Sequence, residues 1–320
     1  MKKKMDNNET ISYKLLGFNA FLVISIVIMV FAIYGSMQKP ILAERKEAEK
    51  QIADSKIFND LNLQAKAVYV YDINEHKIIF QKNESAQLPL ASLTKLMTAL
   101  TAIDLAPKNS KITIRKEFLK EQGDSGLKDG EVWKMSDLLD FSLIVSSNDG
   151  ARSVASVIGA TINKTNNYDI GRADFIKKMN EKAVSLGMKQ TYFLNESGLD
   201  ESTSQSGAYG SAQDIAKLLE YMMVHNPEIL EATKLSKDDI SSLSKTHNAQ
   251  NTNIDIGKIP NLIASKTGYT DLAGGNLVIA FDESIGHPII IVVLGSTQEG
   301  RFTDVMTLAS TTMQYARQNK

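Results

Sequence analysis

The stretch from Leu15 to Met37, LLGFNAFLVISIVIMVFAIYGSM, carries no charged side chain and restricts the chain's fate more than any other feature. At about 1.5 Å per helical residue, that length matches a hydrocarbon layer of about 30 Å. It predicts one membrane-spanning helix. The Gly35-Ser36-Met37 exit is a poor match to the small-x-small site of a cleaved leader, so the span reads as an uncleaved anchor. Lys2, Lys3, Lys4 and Lys14 precede it and Lys39, Arg45, Lys46 and Lys50 follow it, so flanking charge does not orient it. The expected organisation is a tail over 1–14, the anchor over 15–37, a solvated Ala-, Glu- and Lys-rich spacer over 38–62, and a folded domain over 63–320.

With a formal charge of -1, the 320-residue chain has no electrostatic footprint for nucleic acid. It has no cysteine, which removes disulfides, thiolate catalysis and cysteine metal sites together. His76, His225, His247 and His287 are scattered, without an HExxH pair. They read as surface or turn residues, and neither a metal nor a cofactor is expected.

AVYVYD at 67–72 and KIIFQ at 77–81 are β-rich runs around the polar Asn74-Glu75-His76, which predicts an antiparallel hairpin. Helical spacing then dominates. Leu93, Leu96, Met97, Leu100 and Ile103 share one face, Ser136 is a candidate N-cap before DLLDFSLIV, and 172–186 alternates apolar and charged faces. Ser211 to Asp214 has capping-box character before IAKLLEYMMV. The last third returns to strands with LIASKT, GNLVIAFD and PIIIVVLGS, then closes on a helix over about 303–317. Strands at both ends with helices between predict an α+β fold, in which one mainly antiparallel sheet is flanked by helices and carries an inserted all-helical lobe.

Three short motifs carry the chemistry. Ser92-Leu93-Thr94-Lys95 sets a hydroxyl and an amine three residues apart, one helical turn on one face, the spacing of a nucleophile and its base. The pattern recurs at Ser125–Lys128 and Ser242–Lys245, but those lie in polar or turn-like stretches, and only Ser92 opens an apolar helix able to bury it. Ser146-Ser147-Asn148 follows an apolar helix; Ser146 could relay a proton and the Asn148 amide could orient the lysine and a substrate carbonyl. Lys266-Thr267-Gly268, followed by Tyr269 and Thr270, closes the LIASKT strand and suits a terminal carboxylate.

Each motif alone is ordinary; their conjunction and order are not. S-x-x-K, S-x-N and K-T-G together form the signature of β-lactamases and penicillin-binding proteins. Around them, PLASLTKLMTAL, GLKDGEVWKMSDLL, TYFLNESGLD, GSAQDIAKLL, NTN and SKTGYTDLAGGNLV also match. From Leu63 to Lys320 the chain resembles the low-molecular-mass D-alanyl-D-alanine carboxypeptidases of serine peptidase family S11.

That resemblance implies a β-lactamase/transpeptidase-like fold and an acyl-enzyme on Ser92, with Lys95 as base and Ser146 passing the proton onward. It further implies an oxyanion hole from the backbone N–H groups of Ser92 and Tyr269. Lys266, Thr267 and Thr270 would hold the substrate carboxylate, and the Lys266 charge would push the Lys95 pKa down. The partners implied are peptidoglycan stem peptides, β-lactams as covalent inhibitors, and the membrane through the N-terminal helix. Peptidoglycan lies outside the membrane, which puts the domain on the extracytoplasmic side of a single-pass protein. Family members often add a β-rich domain and a C-terminal membrane helix; here the anchoring falls to 15–37. A β-lactamase with a glutamate-activated water needs an E-x-x-L-N-type segment, which is missing between Ser146 and Lys266. D,D-endopeptidase or transpeptidase action, and a non-catalytic penicillin sensor, stay open as alternatives.

Overall fold

The computed structural model describes Met29, Ile57, Phe58 and residues 60–319. The chain divides into two units, Met1–Asp60 and Leu61–Lys320. In the first, Met29 is helical and exposed, and Ile57 and Phe58 are helical. The tail expected over 1–14, the span over 15–37 apart from Met29, and most of the spacer over 38–62 lie outside the described residues. Among the described residues no helix is long and apolar enough to cross a membrane.

The second unit runs through β1 (Ala67–Asp72), β2 (Lys77–Lys82), β3 (Leu88–Pro89), α1 (Thr94–Leu105), β4 (Lys111–Thr113), β5 (Val132–Lys134), α2 (Met135–Ile144), α3 (Asn148–Ile162) and α4 (Tyr168–Ser185). It continues through β6 (Tyr192–Phe193), β7 (Ala208–Gly210), α5 (Ala212–His225), β8 (Lys237–Ser241), β9 (Thr246–Gln250), β10 (Leu262–Thr270), β11 (Gly274–Asp282), β12 (Pro288–Ser296) and α6 (Gly300–Asn319). The main sheet has the order β10-β11-β12-β1-β2, antiparallel throughout. It joins both sequence ends of the unit, as the two blocks of strand signal predict.

Side chains alternate between the faces of a strand, and both faces of this sheet are covered, which is why PIIIVVLGS is apolar without interruption. Ile290, Val292 and Leu294 join the core shared with α1, α2, α3 and α5. Ile289, Ile291 and Val293 join a second core with Phe302, Val305 and Leu308 of α6. Within the helical lobe, α3 and α4 meet through glycines: a Cβ on Gly159 would lie 1.9 Å from the Gly171 carbonyl oxygen.

Three local expectations change. Ser136 is not an N-cap, because α2 starts a residue earlier, and the Met135 and Ser136 N–H groups donate to the Ser110 and Lys108 carbonyls. A neighbouring loop caps that helix. Ser211 does cap α5, accepting from the Asp214 N–H at 3.1 Å, but the Asp214 carboxylate turns away to accept from Gln190 and Thr191. His247 is a core residue rather than a surface or turn one, its Nε2 lying 2.9 Å from Glu131 Oε2 and its ring packed on Trp133 and Phe141.

Candidate active site

Ser92 sits in a single 3₁₀ turn, Ala91–Leu93, that feeds directly into α1. Ala91 holds a left-handed φ of 47°, a conformation that costs an alanine energy and so needs its surroundings to enforce it. One turn on, Lys95 is buried, with its Nζ 2.8 Å from Ser92 Oγ, 2.7 Å from Asn148 Oδ1 and 2.9 Å from the Ser197 carbonyl oxygen. Two of these three neighbours can only accept hydrogen bonds. A neutral amine has two N–H groups and one lone pair, so Asn148 and Ser197 take the N–H groups and the lone pair is left for the Ser92 hydroxyl. The Asn148 orientation is fixed from its other end, where Nδ2 donates to the Gln122 carbonyl at 2.6 Å.

Burial pushes the Lys95 pKa down to about 7, against the nearby Glu196 and Glu121 carboxylates, which favour the ammonium. The Lys266 charge was expected to contribute, but the lowering comes from removal from water. The repulsion between the two amines falls instead on Lys266, which burial, Lys95 and Arg301 together lower well below the usual lysine value. Lys266 Nζ donates to Ser146 Oγ at 2.9 Å and to the Thr267 carbonyl at 2.9 Å. Ser146 adopts a left-handed φ of 60° in the turn between α2 and α3. Its hydroxyl thereby meets the lysine of the sheet.

Lys266, Thr267 and Gly268 lie within β10, which continues to Thr270 rather than ending at the motif. Gly268 allows the strand to approach the nucleophile: a Cβ there would lie 3.0 Å from the Leu90 carbonyl oxygen and 3.1 Å from the Ser92 nitrogen. Thr267 Oγ1 is 2.6 Å from Thr252 Oγ1. Tyr269 is exposed, and Thr270 Oγ1 donates to Asp200 Oδ1 at 3.0 Å while accepting from the Ala273 N–H. The structure thus brings Ser92, Lys95 and Asn148 into one hydrogen-bonded group, and Lys266 and Ser146 into a second beside it. Thr267 and Gly268 line the adjoining strand. Thr270 faces Asp200.

The other two S-x-x-K matches lie in irregular chain outside any helix. Ser125 Oγ pairs with Ser147 Oγ at 2.7 Å, and Ser242 Oγ accepts from the Lys245 N–H at 2.9 Å. The sequence reading did not assign Ser197, Thr252, Asp200 or Arg301. Arg301 is buried at the start of α6 and donates to the Gly268 carbonyl at 2.7 Å, bracing the strand from behind. Ser197 and Thr252 fall in TYFLNESGLD and NTN, whose match to the family was the only signal for them, and Ser197 acts through its carbonyl, to which side-chain identity is blind. Among the described residues, Asp72, Glu75 and His287 bring potential metal-ligand atoms within 4.8 Å of one another. They lie at the end of β1 and in the loops beside it, where the Asp72 carboxylate already meets the Glu75 N–H at 3.0 Å and His287 Nδ1 at 3.4 Å.

An antiparallel sheet with a helical lobe and a serine–lysine pair at their junction is the architecture of penicillin-binding enzymes, and solved structures agree. Penicillin-binding protein D2 from Listeria monocytogenes, in its ampicillin-bound form, matches with a TM-score of 0.65 and 28% identity over 79% of this chain and 98% of that one. A Streptomyces DD-transpeptidase shares the fold with a TM-score of 0.71 at 22% identity, over 79% of this chain and 98% of that one. The family model of the S11 peptidases, described as D-alanyl-D-alanine carboxypeptidase, matches residues 53–298, and the chain belongs to that family. A D-alanyl-D-alanine endopeptidase of Haemophilus influenzae is 32% identical over 67% of this chain and 69% of that protein. The D-alanyl-D-alanine carboxypeptidase DacF of Bacillus subtilis is 29% identical over 79% of this chain, which spans 63% of that relative's length.

Proposed function

We propose that this chain is a serine D,D-carboxypeptidase that removes the terminal D-alanine of peptidoglycan stem peptides through a Ser92 acyl-enzyme. The observation that carries this reading is the Lys95 amine, buried and 2.8 Å from Ser92 Oγ, with its two other neighbours limited to accepting. Ser92 Oγ attacks the carbonyl carbon of the penultimate D-alanine as its proton passes to neutral Lys95. The backbone N–H groups of Ser92 and Tyr269 receive the oxyanion, supported by the close approach of Gly268 to the Ser92 turn. The C–N bond then breaks and Ser146, hydrogen-bonded to Lys266, carries the proton to the departing D-alanine amine. Lys266 and Thr267 hold the carboxylate of the leaving residue. Water hydrolyses the ester, and Ser92 recovers its proton.

β-Lactams are inhibitors in this reading, as the ampicillin-bound Listeria relative suggests. Residues 15–37 anchor the protein in the cell membrane with the catalytic domain on the extracytoplasmic side, a placement supported by the uncharged run and by where peptidoglycan lies. A second reading, D,D-endopeptidase action by the same acyl-enzyme, is favoured by the endopeptidase relative from Haemophilus influenzae. D-Alanine release from a soluble pentapeptide tests the first, and cleavage of cross-linked dimers tests the second. Ser92→Ala is expected to abolish both release and covalent labelling by a fluorescent penicillin; persistent labelling would refute the nucleophile. Protease added to intact spheroplasts should remove the domain, and full protection would refute its placement.

A further inference from the structure

The cleft beside Ser92, about 620 Å³, has Gln122 and Asn148 on its helical side and Tyr269 and Thr270 on its sheet side. Gln122 belongs to the loop between β4 and β5, and three consecutive residues at the N-terminal end of α3 hold that loop in place. Ser147 Oγ lies 2.7 Å from Ser125 Oγ, Asn148 Nδ2 donates to the Gln122 carbonyl at 2.6 Å, and Asp149 Oδ1 accepts from the Glu121 N–H at 3.2 Å. An aspartate in the first turn of a helix is ordinary, but this one is buried and turns an oxygen to another segment's backbone. A buried carboxylate is costly unless a donor holds its charge. Burial pushes the Asp149 pKa up to about 6, the Glu121 N–H works against that rise, and the Glu121 and Asp124 charges add to it. The group stays mostly ionised at neutral pH and makes a charge-assisted bond to the loop.

The Asn148 amide can face Lys95 in two ways, and only one serves the base. With Oδ1 on Lys95 Nζ, at 2.7 Å, the amine keeps its lone pair for Ser92. Turned over, the amide would present its NH2 group to Lys95 and compete with the Ser92 hydroxyl for that lone pair. The Gln122 carbonyl decides between the two, because it can only accept and so takes the NH2 end. That carbonyl is located in turn by the adjoining Glu121 N–H on Asp149. Gly123, at a φ of 90°, lets the loop turn away directly afterwards.

We propose that Asp149 is a positioning residue of the catalytic site, which fixes the Glu121–Gln122 backbone and through it the orientation of the Asn148 amide on Lys95. This inference rests on the Ser92 acyl-enzyme reading and adds a residue to it. Because Asp149 acts through Asn148, its effect vanishes when that amide is gone.

The test follows the acylation rate of the full chain by a fluorescent penicillin. Asp149→Ala should slow it about 10- to 100-fold, the size of a small misplacement of a catalytic group. Asp149→Asn keeps an acceptor oxygen and should recover most of that loss. In an Asn148→Ala background, Asp149→Ala should slow the reaction by less than about threefold more, since no amide is left to orient. If Asp149→Ala fails to fold in a thermal melt, Glu121→Pro deletes the donated N–H from the loop side. It should acylate at least about tenfold more slowly than Glu121→Ala, which keeps that N–H. Equal slowing by Asp149→Ala with and without Asn148, no recovery in Asp149→Asn, or Glu121→Pro no slower than Glu121→Ala overturns this inference and leaves the acyl-enzyme reading intact. An unsubstituted protein that the penicillin does not label overturns both.

Discussion

The two walls of the cleft each bury a lysine, and the settings of those lysines differ in sign. On the helical wall, Lys95 sits between two acceptors and the Ser92 hydroxyl, with Glu196 and Glu121 near enough to oppose burial, and its pKa comes down to about 7. On the sheet wall, Lys266 has Lys95 and Arg301 for charged neighbours, which push the same way as burial and hold its pKa well below the usual lysine value. Loss of water disfavours either ammonium; the charges behind each amine decide how far. Lys95 is thereby poised to take and return a proton near neutral pH.

The most severe way to break this contrast is Lys95→Arg, which keeps a cation on the helical wall but removes its capacity as a base. Acylation by a fluorescent penicillin should fall about 10³-fold, within the range supplied by a general base. Acylation within tenfold of the unsubstituted protein would show that Lys95 is not the base.

A smaller loss is expected when the helical wall is pushed apart. Gly159→Ala sets a methyl against the Gly171 carbonyl and should destabilise the domain by about 1–3 kcal/mol. Alanine at Gly257, whose added Cβ would meet nothing within 4 Å, should stay within about 0.5 kcal/mol in the same thermal melt. Equal melting temperatures for the two variants would mean that the lobe does not depend on that contact.

The finest adjustment acts on proton affinity. Lys95 works as a base only when neutral, so the acylation rate should rise with pH through about 7 and fall below it. Glu196 is buried beside Arg172, at 2.7 Å, and favours the charged form of Lys95. Glu196→Gln should therefore move this limb to lower pH, by about half a unit to one unit. A move to higher pH would show that Glu196 does not act on Lys95 through its charge.

Much of this was legible in the chain. The β-rich run of 67–72 and the unbroken apolar runs of the last third foretold one antiparallel sheet, because a strand buried on both faces has no polar side to show. Ser92, Lys95, Asn148 and Lys266 were singled out by the order of three motifs and the resemblance they carry, and the structure sets them in two adjoining hydrogen-bonded groups. Ser136 and His247 were misread. Their surroundings are supplied by residues far away in sequence, the carbonyls of Lys108 and Ser110 in one case and Glu131 in the other.

By itself, then, the sequence determined the order of strands and helices and the chemistry available to Ser92, since both depend on local pattern. Only the tertiary structure decided how that chemistry is tuned. The Ser197 carbonyl that completes the lysine's acceptors, the Arg301 that braces Gly268, and the pairing of Asp200 with Thr270 all join distant segments. The expected role of Lys266 in lowering Lys95 gave way to burial for the same reason. A pKa is set by every atom that displaces water from the amine, and chain packing alone determines which atoms those are.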